Sequence, residues 1–170
     1  MWHDCSEKHK ERYDMEKFRW CFIGAGKLGN IVAKLLVESG RHEIASCYTR
    51  DFEKAKAFCS TYGGNAYDNP VDAVNDANVD AVYIVTTHNV HLKYAKIAID
   101  NNKPVFVEKA FTMNANEAEE LVNYAKEKDV YIAEAMWTWF SSPANNVLEW
   151  VNTGKIGKVK KAKFTFCMKS

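Results

Sequence analysis

The sequence has no excess of charge of one sign and no long apolar run. Its 170 residues carry 23 lysines and arginines against 22 aspartates and glutamates, which gives a net charge of +1 at pH 7. Without a strong net field, we expect no attraction to nucleic acid or to an anionic membrane surface. No segment approaches the roughly 18 consecutive apolar residues of a membrane span, and the first residues lack the apolar region of a signal peptide. We therefore expect a protein of the cytoplasm.

Cysteine is present, but without the spacings of zinc sites or disulfide frameworks. The five cysteines include no Cys-x-x-Cys pair, and they are Cys5, Cys21, Cys47, Cys59 and Cys167. An odd number of widely spaced cysteines is typical of free thiols in a reducing compartment. We therefore predict reduced thiols and no metal.

A glycine-rich turn between an apolar segment and an amphipathic one organises the chain. Residues 18–23 form a short apolar run, and residues 28–36 carry apolar side chains at helical spacing. The Gly-x-Gly-x-x-Gly turn comprises Gly24, Ala25, Gly26, Lys27, Leu28 and Gly29. In such a strand–turn–helix unit, the glycines permit the tight turn, the approach of a pyrophosphate and close helix packing, and the helix N-terminus favours phosphate. The stretch predicts a dinucleotide site, with a purely structural turn as the alternative.

Strand and helix patterns then alternate six times. The predicted strands are residues 18–23, 43–48, 65–67, 80–85, 104–107 and 130–133. Right-handed crossovers between them produce an α/β fold with a doubly wound parallel sheet, the Rossmann fold, in the order 3-2-1-4-5-6. We assign residues 1–17 to a mobile leader, 18–135 to an NAD(P)-binding domain and 136–170 to the start of a second domain.

The last 30 residues break this alternation. A helix is predicted over residues 142–152, stopped by Gly154, and an amphipathic strand over residues 157–168. The apolar side of that strand consists of Ala162, Phe164, Phe166 and Met168. Because a lone strand cannot bury its apolar face, residues 136–170 are interpreted as the first helix and strand of a truncated α+β domain. The strand is also a candidate contact for a homo-oligomer.

Polar side chains follow the strands whose carboxyl ends are expected to meet beside the glycine turn. Thr86, Thr87 and His88 follow the fourth strand, and Glu108 and Lys109 follow the fifth. Ligands of doubly wound sheets bind at this edge. Lys109 is therefore the candidate catalytic residue, able to hydrogen-bond a substrate hydroxyl or carbonyl or to take part in proton transfer. The alternative is a surface lysine paired with Glu108.

Two histidines lie three residues apart in the same region, His88 and His91. A metal pair is disfavoured because a catalytic zinc has three protein ligands and no third is evident. His91 is either a polar contact at the cofactor edge or a core histidine satisfied by the backbone, and the sequence does not separate these alternatives.

The tip of the second strand is the place where such a fold selects between NAD and NADP. Thr49 and Arg50 occupy this tip, where an arginine accommodates the 2′-phosphate of NADP. We therefore predict NADP as the cofactor, with NAD as the alternative if Arg50 pairs with Asp51 or Glu53. After the sixth strand, Trp137 is either part of an interdomain core or a wall of a substrate pocket.

Four stretches together resemble one family. They are GAGKLG (24–29), TTHNVH (86–91), NNKPVFVEKA (101–110) and EAMWTWF (134–140). Their combination resembles the glucose-fructose oxidoreductase and inositol dehydrogenase (Gfo/Idh/MocA) family, and within it the dimeric dihydrodiol dehydrogenases. The resemblance implies an NAD(P)-binding Rossmann domain in which the lysine of the Glu-Lys-Pro motif, here Lys109, stands at the nicotinamide. It also matches residues 86–91 to the family's TPN-x-x-H motif.

The sequence departs from that family at three positions and in its extent. Ala110 and Thr87 stand where the family has prolines, and Trp139 stands where the dihydrodiol relatives have an arginine. The family's second domain supplies the substrate pocket and a catalytic Tyr or His, and only its first elements are expected here. We predict the nucleotide-binding half of an NADP-dependent oxidoreductase acting on a sugar, polyol or cyclic diol. The alternative is a non-catalytic dinucleotide-binding module or an inactive truncated product.

Overall fold

A computed structural model describes residues 16–165, which divide into two compact units. The first ends at Ala135 and the second begins at Met136. The predicted leader lies outside the described residues, apart from its last two positions. Among residues 16–165, no helix combines the length and the apolar character needed to cross a bilayer.

The first unit is a parallel sheet flanked by helices. Its strands are β1 (Phe18–Ile23), β2 (His42–Tyr48), β3 (Asn65–Tyr67), β4 (Ala81–Ile84), β5 (Val105–Val107) and β6 (Ile132–Glu134). Its helices are α1 (Lys27–Glu38), α2 (Phe52–Tyr62), α3 (Pro70–Val74), α4 (His91–Asp100) and α5 (Ala115–Glu127). All neighbouring strands pair in parallel in the order β3-β2-β1-β4-β5-β6. The predicted α/β fold and strand order are confirmed.

The central strands are apolar on both faces because each face is covered by helices. In β1, Cys21 and Ile23 pack in one buried cluster with residues of α3, α4 and α5. Trp20 and Phe22 point to the other face and pack in a second cluster with residues of α1 and α2. The sheet is therefore the middle of three layers, and its carboxyl edge is left for the connecting loops.

Short polar side chains begin three of the helices. Asp51 Oδ1 accepts from the Lys54 N–H at 3.4 Å, and Asn69 Oδ1 accepts from the Val71 N–H at 2.8 Å. Asn114 Oδ1 accepts from the Glu117 N–H at 3.0 Å, the bond of a helix N-cap. These local bonds fix the starts of α2, α3 and α5.

The sixth strand begins later than predicted. Asp129 has a φ of +54°, and the Val130 N–H still donates to the Ala125 carbonyl of α5 at 2.9 Å. The chain is thus still completing the end of α5 at Val130. The Tyr131 carbonyl then accepts from the Val105 N–H at 3.0 Å, and the register with β5 begins at Ile132.

The second unit contains a 3₁₀ turn, Trp137–Phe140, and the helix α6, Ser142–Asn152. The helix has its predicted bounds, with Pro143 in its first turn. The predicted strand is wrong for residues 157–165, which form no strand. A strand needs a neighbour for its backbone N–H and C=O groups, and the described part of this unit offers none. Residues 166–168 of the predicted strand lie outside the described residues.

Candidate functional site

A cavity of about 440 Å³ opens at the carboxyl ends of β1, β2, β4 and β5 in the first unit. Most residues that the sequence singles out line it, namely Gly24, Ala25, Gly26, Lys27, Leu28, Thr49, Arg50, Thr86, Thr87, His88, Glu108 and Lys109. Gly29 and His91 do not line it, and Trp137 belongs to the second unit, where its side chain is exposed. The cavity also has lining residues that the sequence analysis missed, Tyr48, Val85, Val90 and Tyr94.

The three glycines of the turn have different physical roles. Gly24 has a φ of +114°, and a Cβ placed on it would lie 2.6 Å from the Val85 carbonyl oxygen. A Cβ on Gly29 would lie 3.0 Å from the Gly24 carbonyl oxygen, so this glycine lets α1 pack closely on the sheet. Gly26 has an ordinary φ of −75°, and a Cβ there would meet no heavy atom within 4 Å. Only Gly26 therefore leaves room at the cavity, where backbone can approach a ligand.

The N-terminus of α1 faces this cavity without an acidic neighbour in its first turn. Within the described part of the chain, no side chain caps its free N–H groups. Asn30 instead holds the turn in place, since its Nδ2 donates to the carbonyls of Ala25 (3.1 Å) and Gly26 (2.9 Å). A fixed turn with free N–H groups and the positive end of a helix dipole is suited to bind phosphate oxygens.

One end of the cavity lies at the tip of β2. Asp51 pairs with Lys54 at 3.4 Å, and Glu53 pairs with Lys56 at 2.8 Å. Arg50 forms no ion pair with any of residues 16–165, so the alternative in which it neutralises Asp51 or Glu53 is not what the structure shows. Arg50 is an exposed residue of the cavity lining, and a guanidinium is suited to bind a phosphate group.

Two tyrosines, Tyr48 and Tyr94, line the cavity beside this tip. The rings of Tyr48 and Tyr94 meet edge to face with centroids 5.8 Å apart. Burial, followed by a hydrogen bond with Tyr48, raises the pKa of Tyr94 to about 12. The Tyr48 carbonyl also accepts from the Gly24 N–H at 2.8 Å. This pair joins β2 and α4 to the glycine turn, a tertiary contact that periodicity does not reveal.

His91 is a buried link between two loops, not a cavity residue. It is 0% exposed, and its Nδ1 lies 3.0 Å from the Ala110 carbonyl oxygen and 3.3 Å from that of Phe111. Its Nε2 lies 3.3 Å from the Thr86 carbonyl oxygen. Of the two alternatives left open, the structure shows the core histidine satisfied by backbone. Carbonyl oxygens lie beside both ring nitrogens, and the nitrogen that carries the proton donates to its neighbour.

The other end of the cavity lies at the carboxyl end of β5. Glu108 is 8% exposed, and its Oε1 accepts from the Tyr83 hydroxyl at 2.6 Å. Its Oε2 accepts from the Lys109 backbone N–H at 3.2 Å. Burial, and then the hydrogen bond to Glu108, hold the pKa of Tyr83 well above its ordinary range, so the tyrosine is the donor. Within residues 16–165 the Lys109 ammonium is not paired with Glu108, in contrast to the surface-pair alternative.

The loop that carries Lys109 is held from several sides. The peptide bond between Lys109 and Ala110 is cis. The Phe111 N–H donates to Glu134 Oε1, at the end of β6, at 3.0 Å. The Phe111–Glu134 hydrogen bond and the His91 contacts hold the backbone of this loop, and the Lys109 residue itself is exposed. The arrangement thus offers phosphate-binding N–H groups in the middle, an arginine at one end and a lysine at the other. It suits an elongated ligand with an anionic centre.

Comparisons with known proteins identify similar chains. The sequence is 29% identical over 145 residues to the trans-1,2-dihydrobenzene-1,2-diol dehydrogenase of Xenopus tropicalis, covering 84% of this chain and 44% of that protein. It is 30% identical over 154 residues to the D-xylose 1-dehydrogenase (NADP(+)) of Hypocrea jecorina, covering 83% of this chain and 39% of that protein. The fold resembles that of a 3-ketoreductase from Actinomadura kijaniata in complex with NADP, with a TM-score of 0.74 and 23% identity over 84% of this chain and 46% of that one.

The chain spans less than half the length of each of these relatives. The glycine turn and the cavity lie in the first unit, which ends at Ala135. The profile of the Gfo/Idh/MocA proteins, described as an oxidoreductase family with an NAD-binding Rossmann fold, matches residues 18–135. This chain therefore belongs to the Gfo/Idh/MocA oxidoreductase family.

Proposed function

We propose that this chain is the nucleotide-binding part of an NADP-dependent oxidoreductase that transfers hydride to or from a sugar, a polyol or a cyclic diol. The observation that carries the proposal is that the glycine turn, Arg50 and Lys109 all line the same cavity. These three groups suit the three parts of the cofactor, which are its pyrophosphate, its 2′-phosphate and its nicotinamide, respectively.

The chain's own residues bind and orient the cofactor. Backbone N–H groups at Gly26 and the start of α1 hold the pyrophosphate, since Gly26 leaves the necessary space. Arg50, assisted by Thr49, holds the 2′-phosphate through charged hydrogen bonds. The names of the Hypocrea and Actinomadura relatives, which include NADP, support this choice over NAD.

Lys109 is proposed to hold the reacting oxygen of the substrate. The bound cofactor supplies or accepts the hydride. From the end of β5, the Lys109 ammonium donates to a hydroxyl or carbonyl oxygen and stabilises the charge that develops on it. Sugar and diol substrates are supported by the names of the Xenopus and Hypocrea relatives. Trp137, whose side chain is 62% exposed, is proposed as a wall for the substrate.

A second candidate function is a dinucleotide-binding module without catalysis. It is favoured by the second unit, in which none of residues 136–165 is buried and which therefore forms no enclosed pocket of its own. Both candidates predict cofactor binding, and only the first predicts turnover.

Calorimetric titration of the full chain with NADPH and NADH tests the shared part of these proposals. We expect binding of both, with NADPH bound more tightly. An assay of NADP⁺ reduction with xylose, inositol and trans-dihydrobenzenediol then separates enzyme from module. Absence of binding to either cofactor would overturn both candidates, whereas binding without turnover would leave the module.

Two further proposals concern the cellular compartment of the protein and its self-association. Cys21, Cys47 and Cys59 are free and buried, which supports a reducing cytoplasmic compartment. Self-association through residues 157–168 is supported by the exposure of Phe164 (93%) and Val159 (48%) in the described part of that segment.

A further inference from the structure

Tyr83 lies outside the cavity, yet its hydroxyl is bonded to one of the residues that line it. The side chain is 9% exposed in the layer between the sheet and α1 and α2. Its ring stacks on Phe22 with centroids 5.2 Å apart and meets the edge of Trp20 at 6.0 Å. The core therefore fixes the ring, and the ring fixes where the hydroxyl points.

The hydroxyl points at the carboxylate that precedes Lys109. Tyr83 donates to Glu108 Oε1 at 2.6 Å, while Glu108 Oε2 accepts from the Lys109 N–H at 3.2 Å. Both oxygens of a buried carboxylate are thus occupied, one by a side chain and one by the backbone. Without Tyr83, Oε1 would be a buried anionic acceptor without its partner, which is unfavourable unless it finds another donor. The cationic group nearest in sequence is the Lys109 ammonium.

We propose that Tyr83 is a positioning residue that acts through Glu108 to keep the Lys109 ammonium free for the nicotinamide end of the cavity. The inference rests on the proposed function and deepens it. By occupying Oε1, Tyr83 prevents Glu108 from turning toward Lys109 and withdrawing the ammonium into an ion pair. The sequence gives no local sign of this role, because Tyr83 and Glu108 are 25 positions apart and on different strands.

The location of the effect distinguishes this role from a merely structural one. In a doubly wound sheet the adenosine half of the cofactor lies over β1 and β2, and the nicotinamide half lies on the side of β4 and β5. A change at Glu108 and Lys109 is therefore expected to alter the affinity of a ligand that carries nicotinamide. A ligand that ends at the second ribose does not reach these residues.

The experiment compares NADPH with 2′-phospho-ADP-ribose, which lacks nicotinamide, in calorimetric titrations of the full chain. Tyr83→Phe keeps the ring and removes the hydroxyl. We expect it to weaken NADPH binding about tenfold, the scale of one charged hydrogen bond, and to leave 2′-phospho-ADP-ribose unchanged. The matched control is Tyr124→Phe, which removes a tyrosine–carboxylate bond to Asp100 away from the cavity and should change neither affinity.

A double-mutant cycle tests whether Lys109 mediates the effect. In a Lys109→Met background, adding Tyr83→Phe should have no further effect on NADPH affinity. Glu108→Gln removes the carboxylate that could withdraw the ammonium, so adding Tyr83→Phe in that background should likewise have no further effect on NADPH affinity.

Equal weakening of both ligands by Tyr83→Phe, or no weakening of either, would overturn the inference, as would a full tenfold loss in the Lys109→Met background. If the unmodified chain binds 2′-phospho-ADP-ribose and NADPH, the proposed function stands whatever Tyr83→Phe shows. If it binds neither, the proposed function fails first and the inference fails with it.

Discussion

The position of a Cβ atom on Gly24 lies 2.6 Å from the carbonyl oxygen of Val85, the residue that directly follows β4. The Val85 N–H donates to the Ile23 carbonyl at 2.9 Å, so this contact joins two neighbouring strands at the edge where the cavity opens. The first glycine of the turn is therefore required by the sheet itself. The second, Gly26, faces open space.

The two glycines are expected to respond differently to alanine. Gly26→Ala places a methyl group where the pyrophosphate approaches, so we expect NADPH affinity to fall at least about tenfold while the free energy of unfolding changes by less than about 1 kcal/mol. Gly24→Ala combines a positive φ with a backbone clash and should destabilise the fold by about 2 kcal/mol or more. Calorimetry with NADPH and urea unfolding provide the two measurements. Near-normal NADPH affinity in Gly26→Ala would show that the turn is structural.

Arg50→Ala should separate NADPH from NADH. The loss of a charged contact with the 2′-phosphate is expected to cost about 1.5 to 3 kcal/mol, or roughly ten- to a hundredfold in NADPH affinity, with NADH affinity unchanged. Lys54→Ala is the matched control, since it removes one positive charge from the adjacent start of α2, where Lys54 pairs with Asp51. Titrations with both cofactors check the prediction. Equal affinities for the two cofactors that persist in Arg50→Ala would count against NADP.

The parts of the fold that the sequence predicts well are those set by neighbours in the chain. The glycine turn and the apolar run of β1 each depend on residues a few positions apart. The site at the β2 tip and the β5 end follows from the strand order alone, because parallel strands bring their carboxyl ends to one edge.

The features that the sequence does not predict depend on contacts between residues that are far apart in the chain. His91 had two interpretations because its partners, Ala110 and Phe111, are about twenty positions away and belong to a loop without a periodic pattern. The Tyr48–Tyr94 contact in the cavity lining joins β2 to α4, 46 positions apart in the chain. The alternation in residues 157–165 predicted a strand because the pattern records which side chains are apolar and not whether a partner strand is present.

A buried carboxylate on the edge of the sheet predicts a pH dependence of stability. Asp76 is 7% exposed and accepts hydrogen bonds from Asn65 Nδ2 (2.8 Å), the Tyr67 hydroxyl (2.9 Å) and the Asn78 N–H (2.9 Å). Burial alone would raise the pKa of Asp76, but the bonds from Asn65, Asn78 and Tyr67 outweigh it and hold the pKa below its ordinary value.

Because the folded pKa is lowered, the stabilisation by Asp76 is fully present above about pH 4 and is lost as the pH falls below that value. We expect Asp76→Asn to lower the free energy of unfolding by about 2 kcal/mol at pH 7, and the difference from the unmodified chain to shrink between about pH 4 and pH 3. Asp68→Asn, at an exposed position, is the control and should change stability by less than about 0.5 kcal/mol. Urea unfolding at pH 7, 4 and 3 measures both. A difference that stays constant or grows in acid would refute the role given to Asp76.

The exposed apolar side chains of the C-terminal segment predict self-association that depends on salt. Ile156, Val159 and Phe164 are 55%, 48% and 93% exposed, and they alternate with five lysines, Lys155, Lys158, Lys160, Lys161 and Lys163. Apolar burial favours contact between two such segments, whereas the lysines repel one another over a range of about 8 to 10 Å at ordinary salt. Added salt shortens that range to about 4 Å at 0.5 M. We therefore expect the average mass from light scattering to rise with protein concentration, and to rise further in 0.5 M salt.

Removal of all residues after Gly154, which leaves α6 in place, should abolish both increases, and Phe164→Ser in the full chain should reduce them. A full chain that remains monomeric at every concentration and salt level would exclude the C-terminal segment as a contact between copies.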